Sequence, residues 1–115
     1  MPTNTATGKS WYAVRCVFRW DTSDNPLYEE RLTLWRAGSM DEAIERAEDE
    51  ARTYAHDNGH SYLELAQCYA LATDGRPGDG DEVFSLLRES RLDGDAYLDR
   101  YFDTGEERQG AATEG

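Results

Sequence analysis

Lysine is almost missing from this sequence, in which Lys9 stands alone beside 11 arginines. That is a compositional bias and carries no chemistry. Cysteine is scarce as well. Cys16 and Cys68 stand in no metal or redox spacing, so they read as buried free thiols of a reducing compartment, with a disulfide between them as the alternative. No segment approaches the ~18 apolar residues of a membrane span. The first residues, MPTNTATGKS, have neither a basic start nor an apolar run, so no signal peptide is expected. The expectation is a cytoplasmic protein without membrane contact.

Catalytic signatures are missing too. There is no phosphate-binding glycine loop followed by Lys and Ser or Thr, and no glycine fingerprint at a strand–helix junction. Ser85 and Ser90 sit in FSLL and ESRL, neither of them a nucleophile elbow. Strand alternation sends Arg15 and Cys16 to opposite faces, so Arg15 does not activate the thiol. Two histidines, His56 and His60, lie in HDNGH and are the weak candidates for a metal. Gly59 is expected to end a helix between them, and a zinc site also wants a third fixed ligand. The competing reading is a helix C-terminus whose histidines suit the negative end of the dipole. DGRPGDGDE offers oxygen ligands but lacks the EF-hand order and reads as a turn. No enzyme and no cofactor are expected.

What is present is aromatic and acidic. The 115 residues include 13 of Trp, Tyr and Phe, too many for a disordered chain, and one domain is the expectation for this length. The net charge is -12. Residues 1–40 hold five cations against four anions, a balance of +1, so residues 41–115 carry -13. Such acidity repels phosphate backbones and argues against direct nucleic-acid binding. It would speed encounter with a basic partner.

WYAVRCVFRW, Trp11 to Trp20, alternates with period two: Tyr12, Val14, Cys16, Phe18 and Trp20 on one side, Arg15, Val17 and Arg19 on the other. It predicts a half-buried strand. DTSDNP predicts a turn, and LYEERLTLWR, Leu27 to Arg36, a second strand. Pairing Trp20 with Tyr28 puts Leu32 and Leu34 inside with Cys16 and Val14. It leaves Arg19 opposite Glu29 on the outer face, beside Arg31 and Trp35. A shift of one residue would undo this register. SMDEAIERAEDEARTYAHDNG predicts a helix with Ser39 as N-cap, Glu42 at capping-box spacing, a largely alanine stripe and Gly59 as stop. Ser61–Thr73 predicts a third strand and Glu82–Ser90 a fourth. DGDAYLDRYFDTG predicts a short amphipathic helix capped by Asp93 or Asp95.

The expected fold is therefore a two-layer α+β domain over residues 10–105, between flexible tails at 1–9 and 106–115. Its antiparallel four-stranded sheet runs in the order ββαββα, with the long helix on one face. Two surfaces are candidate functional sites. The outer hairpin face carries Trp11, Arg15, Val17, Arg19, Arg31 and Trp35, of the residue types that dominate binding hot spots. It is to be covered by the C-terminal helix, by a second copy, or by another protein. The helix face carries Asp41, Glu42, Glu45, Glu48 and Asp49, which read as a solvated surface or as a docking face for a basic protein.

WYAVRCVFRW, YEERLTLWRA, DEAIERAEDEA, EVFSLLRES and YLDRYFDTGEE together resemble a family of small bacterial proteins, mainly actinobacterial, known only as a domain of unknown function. The resemblance spans about residues 11–108. It implies a cytoplasmic single-domain protein and supplies no activity, catalytic residue or cofactor. The functional expectation is a non-enzymatic binding or accessory domain, self-associating through the hairpin face as a homodimer. The alternative is an acidic inhibitor, immunity-type or nucleic-acid mimic, that neutralises a basic protein, and a small enzyme with a site near His56 and His60 is the third reading.

Overall fold

The alternating run at the start and the one that follows it form two 11-residue strands, β1 (Ser10–Trp20) and β2 (Leu27–Ala37). A computed structural model describes residues 8–21, 24–73 and 75–107. The tails expected at 1–9 and 106–115 fall largely outside these residues. The helix expected from Ser39 to Gly59 is α1 (Met40–Asn58). The third strand is β3 (Ser61–Ala70), which pairs with the free side of β1. The result is a three-stranded antiparallel sheet in the order β2-β1-β3, with β1 in the middle and α1 crossing from one outer strand to the other. It is an α+β fold.

Local chemistry fixes the helix ends. The Ser39 hydroxyl accepts from the Glu42 N–H at 3.0 Å, and the Glu42 carboxylate turns back to accept from the Gly38 N–H at 2.7 Å. At the other end Gly59 takes φ +72, a left-handed conformation that L side chains rarely adopt, and its N–H reaches the Ala55 and His56 carbonyls. Between the caps Ala43, Ala47, Ala51 and Ala55 are buried in a single stripe. Against it lie Val14, Cys16 and Phe18 of β1, Ala37 of β2 and Tyr62 of β3. Side chains this short bring the helix backbone close to the sheet. They also leave a narrow core, whose largest fully buried side chain is Phe18.

Two expectations are corrected. The hairpin register is shifted by one residue: Trp20 pairs with Leu27, Arg19 with Tyr28, Cys16 with Arg31 and Val14 with Thr33. Every β2 side chain therefore changes face. Leu32 and Leu34 point away from the helix, and Glu29, Arg31, Thr33 and Trp35 point to the helix side. The cause lies at the helix margin. The alanine stripe packs over β1 and Tyr62 of β3, so most of β2 meets the polar flank of α1, where charged and aromatic partners are waiting. Arg31 makes a two-pronged contact with Glu50 at 2.8 and 2.9 Å, and its guanidinium stacks 3.8 Å from the Tyr54 ring centre. The Arg46 guanidinium covers the Trp35 ring at 5.2 Å.

The second correction concerns Glu82–Ser90, which forms no strand, so the order ββαββα is not reached. Its first residues are held by side chains rather than by a ladder. Phe84 packs on Tyr69 and under the Arg15 guanidinium, and the Tyr69 hydroxyl bonds Glu82 and Ser85. Edge pairing is also interrupted in β3 itself. A bulge opposite Cys16–Phe18 includes Glu64 at φ 62, unusual for a residue with a side chain.

The chain divides into two units, Met1–Ser85 and Leu86–Gly115. The first holds the sheet and α1. The second holds the short helix α2 (Gly94–Tyr97), capped by Asp93, which accepts from the Ala96 N–H at 2.9 Å, and a π-helical turn over Leu98–Phe102. Arg88 donates to the Tyr97 hydroxyl at 2.8 Å and stacks on Tyr101 at 4.2 Å. No residue of α2 or its π-helical extension is buried.

The narrow core makes two substitutions informative. Phe18→Ala is expected to destabilise by about 3–5 kcal/mol, through lost burial and the cavity left behind. Ala47→Leu is expected to destabilise by about 1–3 kcal/mol, because the close helix–sheet contact has no room for three more carbons. Urea midpoints at unchanged slope measure both.

Candidate functional site: the two faces of the sheet

The outer face is built by odd positions of β1 and even positions of β2. Trp11, Arg15, Val17 and Arg19 stay on it, as expected, and Arg31 and Trp35 do not. Tyr28, Glu30, Leu32, Leu34 and Arg36 replace them. From β3 come Gln67 and Tyr69, through the pairs Arg15–Gln67 and Ala13–Tyr69, and Leu63 and Leu65 lie in the bulge further along the strand. Large apolar side chains are left in water here, Tyr28 at 58%, Leu32 at 42% and Leu34 at 43% exposure, and in the bulge Leu63 at 42% and Leu65 at 52%. A cluster of this kind on one face is uncommon on a monomer surface.

The arginines on this face are mostly accounted for within the chain. Arg15 reaches Glu30 at 3.4 Å, bonds Gln67 and lies over Phe84. Arg19 reaches Asp21 at 2.9 Å and the Tyr28 hydroxyl at 3.3 Å. Arg36 has no carboxylate partner among the described residues. The Arg36 carbonyl accepts from Arg46 at 2.7 Å.

On the helix side the shifted register assembles a cluster that the sequence reading missed. Glu29 accepts from Trp20 Nε1 at 3.1 Å and from the Tyr54 hydroxyl at 2.9 and 3.0 Å. The His60 ring stacks on Trp20 at 4.0 Å and meets Phe18 and Tyr54 edge-on. Its side chain is fully buried, and neither ring nitrogen has a hydrogen-bond partner among the described residues; Glu29 stands 3.9 Å away. Trp20 on the inward parity and Tyr54 in the helical stripe were legible signals. The third member, Glu29, was lost with the register.

The two histidines are not brought together. His56 is exposed beside Asp57 at 3.5 Å, and His60 is inside the aromatic box. Among the described residues no group of three His, Cys, Asp or Glu could hold a metal ion. Both cysteines are free, and burial pushes each thiol up from its ordinary value. The acidic helix face is partly used by the fold. Glu42 closes the cap, and Glu48 accepts from the Tyr62 hydroxyl at 2.6 Å and lies near Arg52. Asp41, Glu45 and Asp49 remain exposed, Asp49 within 3.7 Å of Arg52.

Residues 11–85 match the model of a family described as a domain of unknown function, DUF4288. That stretch corresponds to the sheet-bearing unit. No curated protein and no solved structure matches the chain. No helix among the described residues is long and apolar enough to cross a membrane.

Two tyrosines in this layer make stability sensitive to alkali. Burial and the bond to Glu29 raise Tyr54 above the ordinary 10.0, and burial and the bond to Glu48 raise Tyr62 as well. The folded state thus favours the neutral phenol. The associated stability is present below 10.0 and is lost as pH rises through the raised values. Urea midpoints followed upward from about pH 7 should fall steeply beyond that point, and Tyr54→Phe should flatten part of the slope. An unchanged slope in the variant would show that Tyr54 titrates alike in both states.

Proposed function

We propose that the chain, which belongs to the DUF4288 family, is a non-enzymatic binding domain that self-associates through the outer face of its first hairpin. The observation that carries this reading is the exposure of Tyr28, Leu32 and Leu34 on the face opposite α1. Burying such side chains removes apolar surface from water at ~25 cal/mol per Å². Charge favours a second copy as the occupant. Arg15 and Arg19 are each paired with a carboxylate within the chain, so this face is nearly neutral although the chain carries -12. Two such chains can meet here without opposing their acidic helices.

A second reading is an acidic domain that neutralises a basic protein in the cytoplasm. It is favoured by the -13 carried on residues 41–115, and it requires an association rate that falls steeply with salt.

Sedimentation equilibrium tests the first reading. The wild type is expected at twice its 13.0 kDa mass, and the double variant Leu32→Glu, Leu34→Glu at 13.0 kDa with an unchanged circular dichroism spectrum. A wild-type chain that stays at 13.0 kDa up to high micromolar concentration would overturn it.

A further inference from the structure

The sheet has two outer strands, and they differ in how well they could accept a further strand. β3 is interrupted by its bulge and by Glu64 at φ 62. β2 runs for 11 residues with no bulge and no proline, and its far side pairs with nothing in the three-stranded sheet. A long, regular edge with exposed apolar side chains is a template for another strand. From this difference we infer that two copies join edge to edge through β2, antiparallel about a two-fold axis at Thr33, to make one continuous six-stranded sheet. This rests on the reading that the chain self-associates, and moves the contact from across the outer face to its β2 rim, where Leu32 and Leu34 of the two copies meet while Leu63 and Leu65 of β3, on the opposite edge, stay outside it.

The side chains of β2 select the register. With the axis at Thr33, Leu32 of each copy faces Leu34 of the other. Glu30 of each faces Arg36 of the other, the arginine that lacks a carboxylate among the described residues. On the helix side Arg31 of each copy faces Trp35 of the other, a cation–aromatic pair. Every cross-strand pair is then favourable. Moving the axis to Arg31 sets the two Arg31 side chains against each other. Moving it to Leu32 sets each Leu34 against a Glu30. Arg46 already holds the Arg36 carbonyl, so backbone pairing runs from Arg31 to Trp35 and the Glu30 and Arg36 side chains close each end. The pairing also brings the exposed leucines of the two outer faces into one row of four across the axis.

Charge reversal tests the register. Glu30→Arg alone, or Arg36→Glu alone, should raise the dimer Kd about tenfold by opposing like charges twice. The double variant Glu30→Arg, Arg36→Glu should return within about threefold of wild type. Rescue is the decisive readout, because Glu30→Arg also removes the contact with Arg15 inside the chain. Cross-linking tests the axis. Residues directly opposed on antiparallel strands have Cα atoms about 4.5–5.5 Å apart, within disulfide reach. Thr33→Cys should therefore cross-link under mild oxidation with copper phenanthroline, and Tyr28→Cys, off the axis, should not. A dimer in which the double variant is not rescued and Thr33→Cys stays uncoupled would overturn the edge pairing and leave self-association standing. Cross-linking by Tyr28→Cys in place of Thr33→Cys would move the contact to the sheet face. A wild-type monomer would remove both.

Discussion

Four alanines in one helical stripe, Ala43, Ala47, Ala51 and Ala55, bring the backbone of α1 down onto β1, and the rest of the structure accommodates that close contact. A helix so near the sheet can cover one strand well and its neighbours only at their margins. Val14, Cys16 and Phe18 therefore supply the apolar centre, and the margins are filled by paired polar groups. Along β2 these are Glu29 with Trp20 and Tyr54, and Arg31 with Glu50. Along β3 it is Tyr62 with Glu48. The leucines of β2, which a wider helix would have covered, face the other way.

This division explains the arginines inside the first apolar run. Arg15 and Arg19 stand on the face the helix never reaches, where their long side chains lie over aromatic rings and reach carboxylates of the hairpin. They offset local carboxylates on a face that is otherwise apolar. The strongly acidic balance of the chain is confined to other surfaces.

Much of the architecture was legible before any coordinates. The helix announced both ends, through Ser39 with Glu42 and through Gly59, because caps are read from local hydrogen bonding alone. The strands β1 and β2 followed from period and turn residues, and β3 from an apolar run of strand length after Asn58-Gly59. The register did not. In β2 one parity offers Leu32 and Leu34 and the other Trp35 and Thr33, so apolar content alone points both ways. The choice depended on Glu50 and Tyr54 of a helix distant in sequence. The expected strand at Glu82 failed for a similar reason. An apolar stretch reads the same whether its backbone joins a ladder or its side chains alone dock, as Phe84 does on Tyr69. Four of the six residues expected on the outer face, Trp11, Arg15, Val17 and Arg19, stand there because β1 itself was read in the right phase. His60 gave no signal, since its burial follows from Trp20 folding over the residue after a helix stop.

The central position of β1 has a kinetic consequence. It precedes the other elements in the chain, yet it is the strand flanked on both sides in the finished sheet. Its pairing with β2 closes through a short turn. Its pairing with β3 joins Tyr12 to Ala70, across the whole of β2 and α1. Such distant closures slow folding, because chain entropy is lost before any contact compensates for it. During synthesis the hairpin can form early, but Val14 and Phe18 stay open to solvent until the helix arrives. The side of β1 that β3 will fill stays unpaired for longer still. In the nascent chain, therefore, the exposed strand edge belongs to the future centre of the sheet.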